Sequence, residues 1–282
     1  MKVKLKQRNP ENPKEWIEKE IYIDGYLKSN LDLGIKLLQK DFDQVWFIDG
    51  GEGFGKTNLG ITCAYYVSPE ERRHTLLDRV CTKTEEADKV ILEAKKFDGV
   101  VIDEAFGGMS ATGFMSRLNR LLQRRFTEIR AKNLFVFVIA PSFMDISRYF
   151  AIWRSSCLLH VSCRGLKRGF GSFFNFQKKL KLYDLGRKRY YDYKCVKPNF
   201  IFRFLDEAPK LIDMKEYNKK KTYSNLEEPQ EDILQNKEIK KQLLVRLNII
   251  KPSLSQKQKA QFFGTSTRTI QRYAKELGNK KI

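Results

Sequence analysis

Histidine is nearly missing from this chain. Only His74 and His160 occur in 282 residues, which argues against a histidine-built metal centre or catalytic triad. His160, inside Leu158-Leu159-His160-Val161, reads as an ordinary strand residue. Cysteine is sparse and odd in number: Cys63, Cys81, Cys157, Cys163 and Cys195 show no C-x-x-C spacing. Most read as buried strand or helix positions, which suits a reducing cytosol. Long apolar runs are also lacking. The longest, Leu134 to Ala140, is closed by Pro141 and falls far short of the ~20 residues of a spanning helix, so no membrane insertion is expected. Met1-Lys2-Val3-Lys4-Leu5-Lys6 carries no apolar core, so no signal peptide is expected. Acidic residues are outnumbered: the net charge is +20 and the pI about 9.7. Such a surplus calls for a polyanionic partner, nucleic acid or an anionic membrane surface.

What the chain does have is concentrated at Gly50-Gly51-Glu52-Gly53-Phe54-Gly55-Lys56-Thr57. This satisfies G-x-x-x-x-G-K-[ST], the phosphate-binding P-loop. The apolar run Val45-Trp46-Phe47-Ile48 precedes it as a strand, and Asn58 to Val67 follows as a helix. Glycines let backbone N–H groups turn toward phosphate oxygens, and the helix N-terminus adds a positive dipole end. Lys56 is placed for the β- and γ-phosphates, and Thr57 for Mg²⁺. With Asn58 at the helix start, Gly50 to Asn58 form the expected nucleotide cradle. The alternative is a glycine-rich turn before an ordinary helix, but the motif has both of its required flanks.

Further on, Phe97-Asp98-Gly99-Val100-Val101-Ile102-Asp103-Glu104 is a short strand ending in two carboxylates, the Walker B pattern. Asp103 is expected in the Mg²⁺ shell, and Glu104 is expected to orient or deprotonate the attacking water. An acidic pair after a strand is common; after a P-loop it points to ATP hydrolysis. No Asn-Lys-x-Asp motif is present for reading guanine.

Strands alternating with helices over residues 1–213 predict an α/β domain, a mostly parallel P-loop NTPase sheet of RecA/ASCE type with helices on both faces. Over 164–197, eleven Lys and Arg face only Asp184 and Asp192. Phe170 to Phe176 and Arg189 to Tyr193 alternate as the strands of a basic hairpin. That hairpin reads either as a nucleic-acid contact or as a solvated edge whose lysines block aggregation. Residues 214–232 read as a linker. Residues 233–282 read as a small all-α domain resembling a helix-turn-helix, with Ala260, Gly264 and Ile270 in the spacing of that motif and Ser266 as a cap. Its outer face shows Thr267, Arg268, Gln271, Arg272 and Lys275, side chains suited to base edges and phosphates. From Asn236 onward twelve Lys or Arg stand against Glu238 and Glu276, which favours DNA binding over a bundle for protein contacts.

Residues 40–165 resemble the HerA/FtsK superfamily of DNA-pumping ATPases, which includes packaging and Zot-like proteins. Beyond the two Walker motifs, the resemblance rests on Leu118-Asn119-Arg120-Leu121-Leu122-Gln123-Arg124-Arg125 and on Ile129-Arg130 leading into Leu134 to Ala140, then Pro141-Ser142. It implies ATP and Mg²⁺ as cofactors, and DNA and further copies of the chain, in a ring hexamer, as partners. It also implies an arginine-finger or sensor role for Arg130, whose alternative is a surface arginine at a helix end. Gly107 to Gly113 and the basic hairpin become candidates for lining a pore. The family commonly has glutamine where Ala140 stands, and Ser142 is placed to supply the hydrogen bond instead. The expected protein is cytoplasmic or virion-associated, and partners from a virion, a mobile element or replication fit it. A helicase-loader or transposition-type ATPase, and a nucleotide-gated DNA-binding regulator, are the alternatives.

Overall fold

A strand that is apolar at every position needs cover on both faces, and Val45 to Ile48 receive it. The computed structural model describes residues 1–12, 14–82, 84–103, 123–125, 127–222, 244, 255–262 and 266–278. The chain divides into two units, Met1–Asn225 and Leu226–Ile282.

The first unit opens with β1 (Lys2–Arg8) and β2 (Trp16–Tyr22), an antiparallel ribbon pairing Lys2 with Tyr22 and Arg8 with Trp16. Helix α1 (Gly25–Gln39) follows, capped by the Asp24 carboxylate, which accepts from the Tyr26 amide. Leu27, Leu31, Gly34 and Leu38 form its buried stripe, the spacing of one helix face. The alternation continues with β3 (Gln44–Gly50), α2 (Lys56–Val67), a 3₁₀ stretch (Glu70–Arg79), β4 (Val80–Cys81), α3 (Thr84–Glu93) and β5 (Gly99–Ile102). Then come β6 (Phe135–Ile139), β7 (Cys157–Arg164), β8 (Lys167–Phe174), α4 (Phe176–Lys188), β9 (Phe200–Arg203), α5 (Ala208–Leu211) and α6 (214–222).

Seven of these strands form one sheet in the order β4-β5-β6-β3-β7-β8-β9. From β4 to β7 every pairing is parallel; β8 and β9 extend the sheet antiparallel. Strand parity divides the core. Trp46, Ile48, Phe135, Phe137 and Leu159 pack with α1 and α2, while Val45, Phe47, Val136, Val138 and Leu158 pack with α3 and α4. The fold is therefore α/β, a mostly parallel sheet covered by helices on both faces. β6, the uninterrupted apolar run, lies between β5 and β3 and is parallel to both.

Two expectations change. The expected hairpin does not form: Lys167–Phe174 is a strand, β8, but it pairs with β7 from Leu158–Phe174 to Arg164–Lys167, turning at Gly165-Leu166, and with β9 on its other side. The expected return strand at Arg189–Tyr193 is absent, because Phe176–Lys188 is helix α4 and Tyr190 and Tyr191 take positive φ in the turn after it. The Asn175 side chain accepts from the Lys178 amide to start that helix, and Lys179, Leu182, Tyr183 and Gly186 form its buried face. That i, i+3, i+4, i+7 spacing outweighs the local β-like aromatic alternation. The expected linker also begins later than residue 214. Residues 214–222 are helical, and Tyr217 is 2% exposed within the first unit's core.

In the second unit, α7 (Gln256–Phe262) packs on α8 (Thr267–Gly278), and Leu244, Ala260 and Ile270 form a small buried cluster. No helix among the described residues is long and apolar enough to cross a membrane. All five cysteines are free thiols, and Cys63, Cys81 and Cys157 are buried.

Candidate functional site

The glycine loop leaves the C-terminal end of β3. Gly50 has φ 134°, and a β-carbon there would lie 2.2 Å from the carbonyl oxygen of Val161 on β7. Only glycine fits so close an approach. Gly53 (φ 69°) turns the loop back into α2. That helix has no side-chain cap at its start, so its first amides remain donors for an anion. Lys56 folds over the loop and donates to the Gly50 carbonyl at 2.7 Å.

β6 separates β3 from β5, so the two strand ends stand roughly 10 Å apart, a gap that the first turn of α2 bridges. The Thr57 hydroxyl donates to Asp103 Oδ2 at 3.0 Å, across 46 residues of sequence. Asp103 is 3% exposed, and its amide is held by the Cys81 carbonyl at 2.8 Å. The two halves of the expected site thus meet at one carboxylate oxygen. Glu104, the expected water-orienting acid, lies outside the described residues, as do Gly107 to Gly113 and Gly264, where a turn was expected.

Above this junction is a cavity of about 700 Å³ lined by Glu52, Gly53, Phe54, Gly55, Lys56, Thr57, Asn58 and Asp103. Gly50 and Gly51 form the loop's base and do not line it. Asn58 spends its amide on the backbone, donating to Leu205 O at 2.6 Å and accepting from the Ala208 amide at 2.8 Å. It thereby ties residues 205–208 to α2 as one wall. The far wall was not legible in the sequence: Arg168, Arg203 and Phe204 from the β8–β9 extension, and Tyr217 and Lys221 from α6. The Arg203 guanidinium lies 4.2 Å from the centre of the Phe170 ring, which holds that arginine at the sheet edge.

A second network sits beneath the loop. Asp49, fully buried, meets His160 Nδ1 at 2.8 Å through Oδ1 and accepts the Phe143 amide at 2.9 Å through Oδ2. The Tyr193 hydroxyl also donates to Oδ2, and its ring stacks on His160 at 3.8 Å. Burial, then the Asp49 charge, pushes the Tyr193 hydroxyl far above the ordinary tyrosine range. His160 is thus a hydrogen-bond partner of Asp49 at the root of the loop as well as a strand residue. Ser142, expected as a stand-in for a sensor glutamine, accepts the Met144 amide at 3.2 Å and caps a 3₁₀ turn.

Arg130 is exposed near the end of helical residues 127–131, before the start of β6. It stands at the opposite end of the sheet from the loop and does not line the cavity. In the second unit Thr267, Arg268, Gln271, Arg272 and Lys275 are all exposed on α8, while Ile270 is buried. The Ser266 hydroxyl accepts the Thr269 amide at 3.2 Å and caps that helix.

Among the described residues no three His, Cys, Asp or Glu side chains converge as metal ligands. The donor set at Thr57 and Asp103 fits Mg²⁺, which takes one or two protein oxygens and fills its octahedron with phosphate and water. No protein-family model matches the chain, and no curated protein matches it.

Proposed function

We propose that this chain is an ATP-hydrolysing, DNA-binding motor that translocates, packages or transfers DNA. The observation that carries the reading is the hydrogen bond from Thr57 to Asp103 above an uncapped helix start. It joins the glycine loop to the acidic strand as a P-loop NTPase requires. Thr57 and Asp103 would hold Mg²⁺, which when bound neutralises charge on the phosphates. Lys56 would exchange its loop carbonyl for phosphate oxygens, and Glu104 would orient the attacking water.

The DNA part of the proposal rests on charge and on the second unit. A net +20 favours a polyanion. The exposed Thr267, Arg268, Gln271, Arg272 and Lys275, opposite the buried Ile270, support a helix-turn-helix whose second helix reads bases. Arg130, far from its own cavity, would act in the cleft of a neighbouring copy, which makes a homo-oligomer part of the reading.

Steady-state ATP hydrolysis against protein concentration, with and without long duplex DNA at low and physiological salt, tests it. The expected result is turnover that DNA stimulates, that rises cooperatively with protein concentration, and that Lys56→Ala abolishes. Slow turnover indifferent to DNA and to concentration refutes the motor and favours a nucleotide-gated regulator. No turnover and no nucleotide binding refutes both.

A further inference from the structure

Asp103 Oδ2 is oversubscribed. It accepts the Thr57 hydroxyl at 3.0 Å and also the Tyr217 hydroxyl. The Lys221 ammonium lies 3.5 Å from the same oxygen and 3.4 Å from the Tyr217 hydroxyl. A carboxylate oxygen offers about two lone-pair sites, so three groups exceed what it can bind well. Two of the three come from α6. Asp213 starts that helix by accepting the Lys215 and Glu216 amides at 2.8 and 3.2 Å. Tyr217 and Lys221, four residues apart, then share its inner face.

The two side chains differ in how firmly they are held. Tyr217 is 2% exposed and packed in the core around α2. Its hydroxyl donates directly to Asp103 Oδ2, so the buried ring and its hydrogen bond fix the carboxylate. Lys221 is 38% exposed and sits at the long end of ion-pair distance, so a modest force displaces it.

We infer that Tyr217 positions the Asp103 carboxylate and that Lys221 is an internal cation competing with Mg²⁺ for it. Metal–nucleotide binding displaces the ammonium into the cavity that it lines, and loss of the nucleotide lets it return. α6 is then part of the nucleotide site, and the metal requirement is set partly by a lysine outside both sequence motifs. This rests on the proposed nucleotide site.

The test is equilibrium binding of fluorescent ADP at fixed concentration while Mg²⁺ is titrated at constant ionic strength, in the full chain. Half-saturating Mg²⁺ should fall about fivefold in Lys221→Ala, the loss of a competitor worth about 1 kcal/mol. Lys221→Arg, which keeps the charge, should stay near wild type. An unchanged Mg²⁺ midpoint in Lys221→Ala overturns the inference. So does weaker ADP binding at saturating Mg²⁺, which would put the ammonium on the phosphates. If wild type binds no ADP above the level of Lys56→Ala, the nucleotide site itself fails, a result distinct from either.

Discussion

Replacing Gly50 and Gly53 by alanine, one at a time, separates steric closeness from backbone conformation within one loop. Both have positive φ, 134° and 69°. A β-carbon at Gly53 meets nothing within 4 Å, whereas at Gly50 it lies 2.2 Å from the Val161 oxygen. Ordinary contact begins at 3.4 Å, so β7 must retreat by about 1 Å. Val161 pairs with Gly50 in the parallel ladder, so that carbonyl is not free to swing. Gly53→Ala should cost about 1–2 kcal/mol for the left-handed conformation alone. Gly50→Ala should cost about 1–3 kcal/mol for its φ and about 1–3 kcal/mol more for overpacking. A difference of about 2 kcal/mol, at a slope of about 3 kcal/mol/M, separates the urea midpoints by about 0.7 M. Circular dichroism reads both. Coincident midpoints would refute the close approach of the loop's root to β7.

Asp98→Ala should destabilise the first unit by about 3 kcal/mol in the same urea assay. The carboxylate is 3% exposed, meets Arg72 Nε at 2.6 Å, accepts the Lys95 amide at 2.8 Å and lies 3.9 Å from the buried Arg79; a loss under 1 kcal/mol would make the pair a surface ornament. Lys179 is fully buried, with its ammonium on the Ala151 and Ile152 carbonyls and the Ser155 hydroxyl, and burial pushes it down to about 7. The unfolded chain keeps that proton up to the usual lysine range, so this contribution to stability grows as pH rises above about 7 and is lost as pH falls through it. The wild-type minus Lys179→Met stability difference should rise by about 1.4 kcal/mol from pH 6 to pH 8. Taking the difference cancels the buried thiols, which oppose the trend above about pH 8. A flat difference would mean that the three oxygens hold the proton throughout.

The glycine loop, the acidic strand and the parallel core were legible because each is local: a motif with its flanks, or an apolar run of strand length. The Thr57–Asp103 contact followed from that pairing. Helix α4 was misread because Phe173, Phe174, Phe176 and the tyrosines near 190 alternate locally, while the signal that decides, the buried face from Lys179 to Gly186, has longer period. Tyr217 and Lys221 were hidden in a polar run read as a linker; only the packing of Tyr217 against α2 reveals them. The Asp49–His160–Tyr193 network was invisible for the same reason, since its members lie 111 and 144 residues from Asp49.

The cavity draws its walls from the glycine loop, the acidic strand, the β8–β9 extension and α6. On the ribosome these arrive in that order. At about 5–20 residues per second, Thr57 precedes Tyr217 by roughly 8–30 seconds. For that interval the nascent chain carries the glycine loop without its closing wall. If the proposed function holds, nucleotide present during synthesis would meet an open half-site first, and the cleft is completed only when α6 emerges and docks.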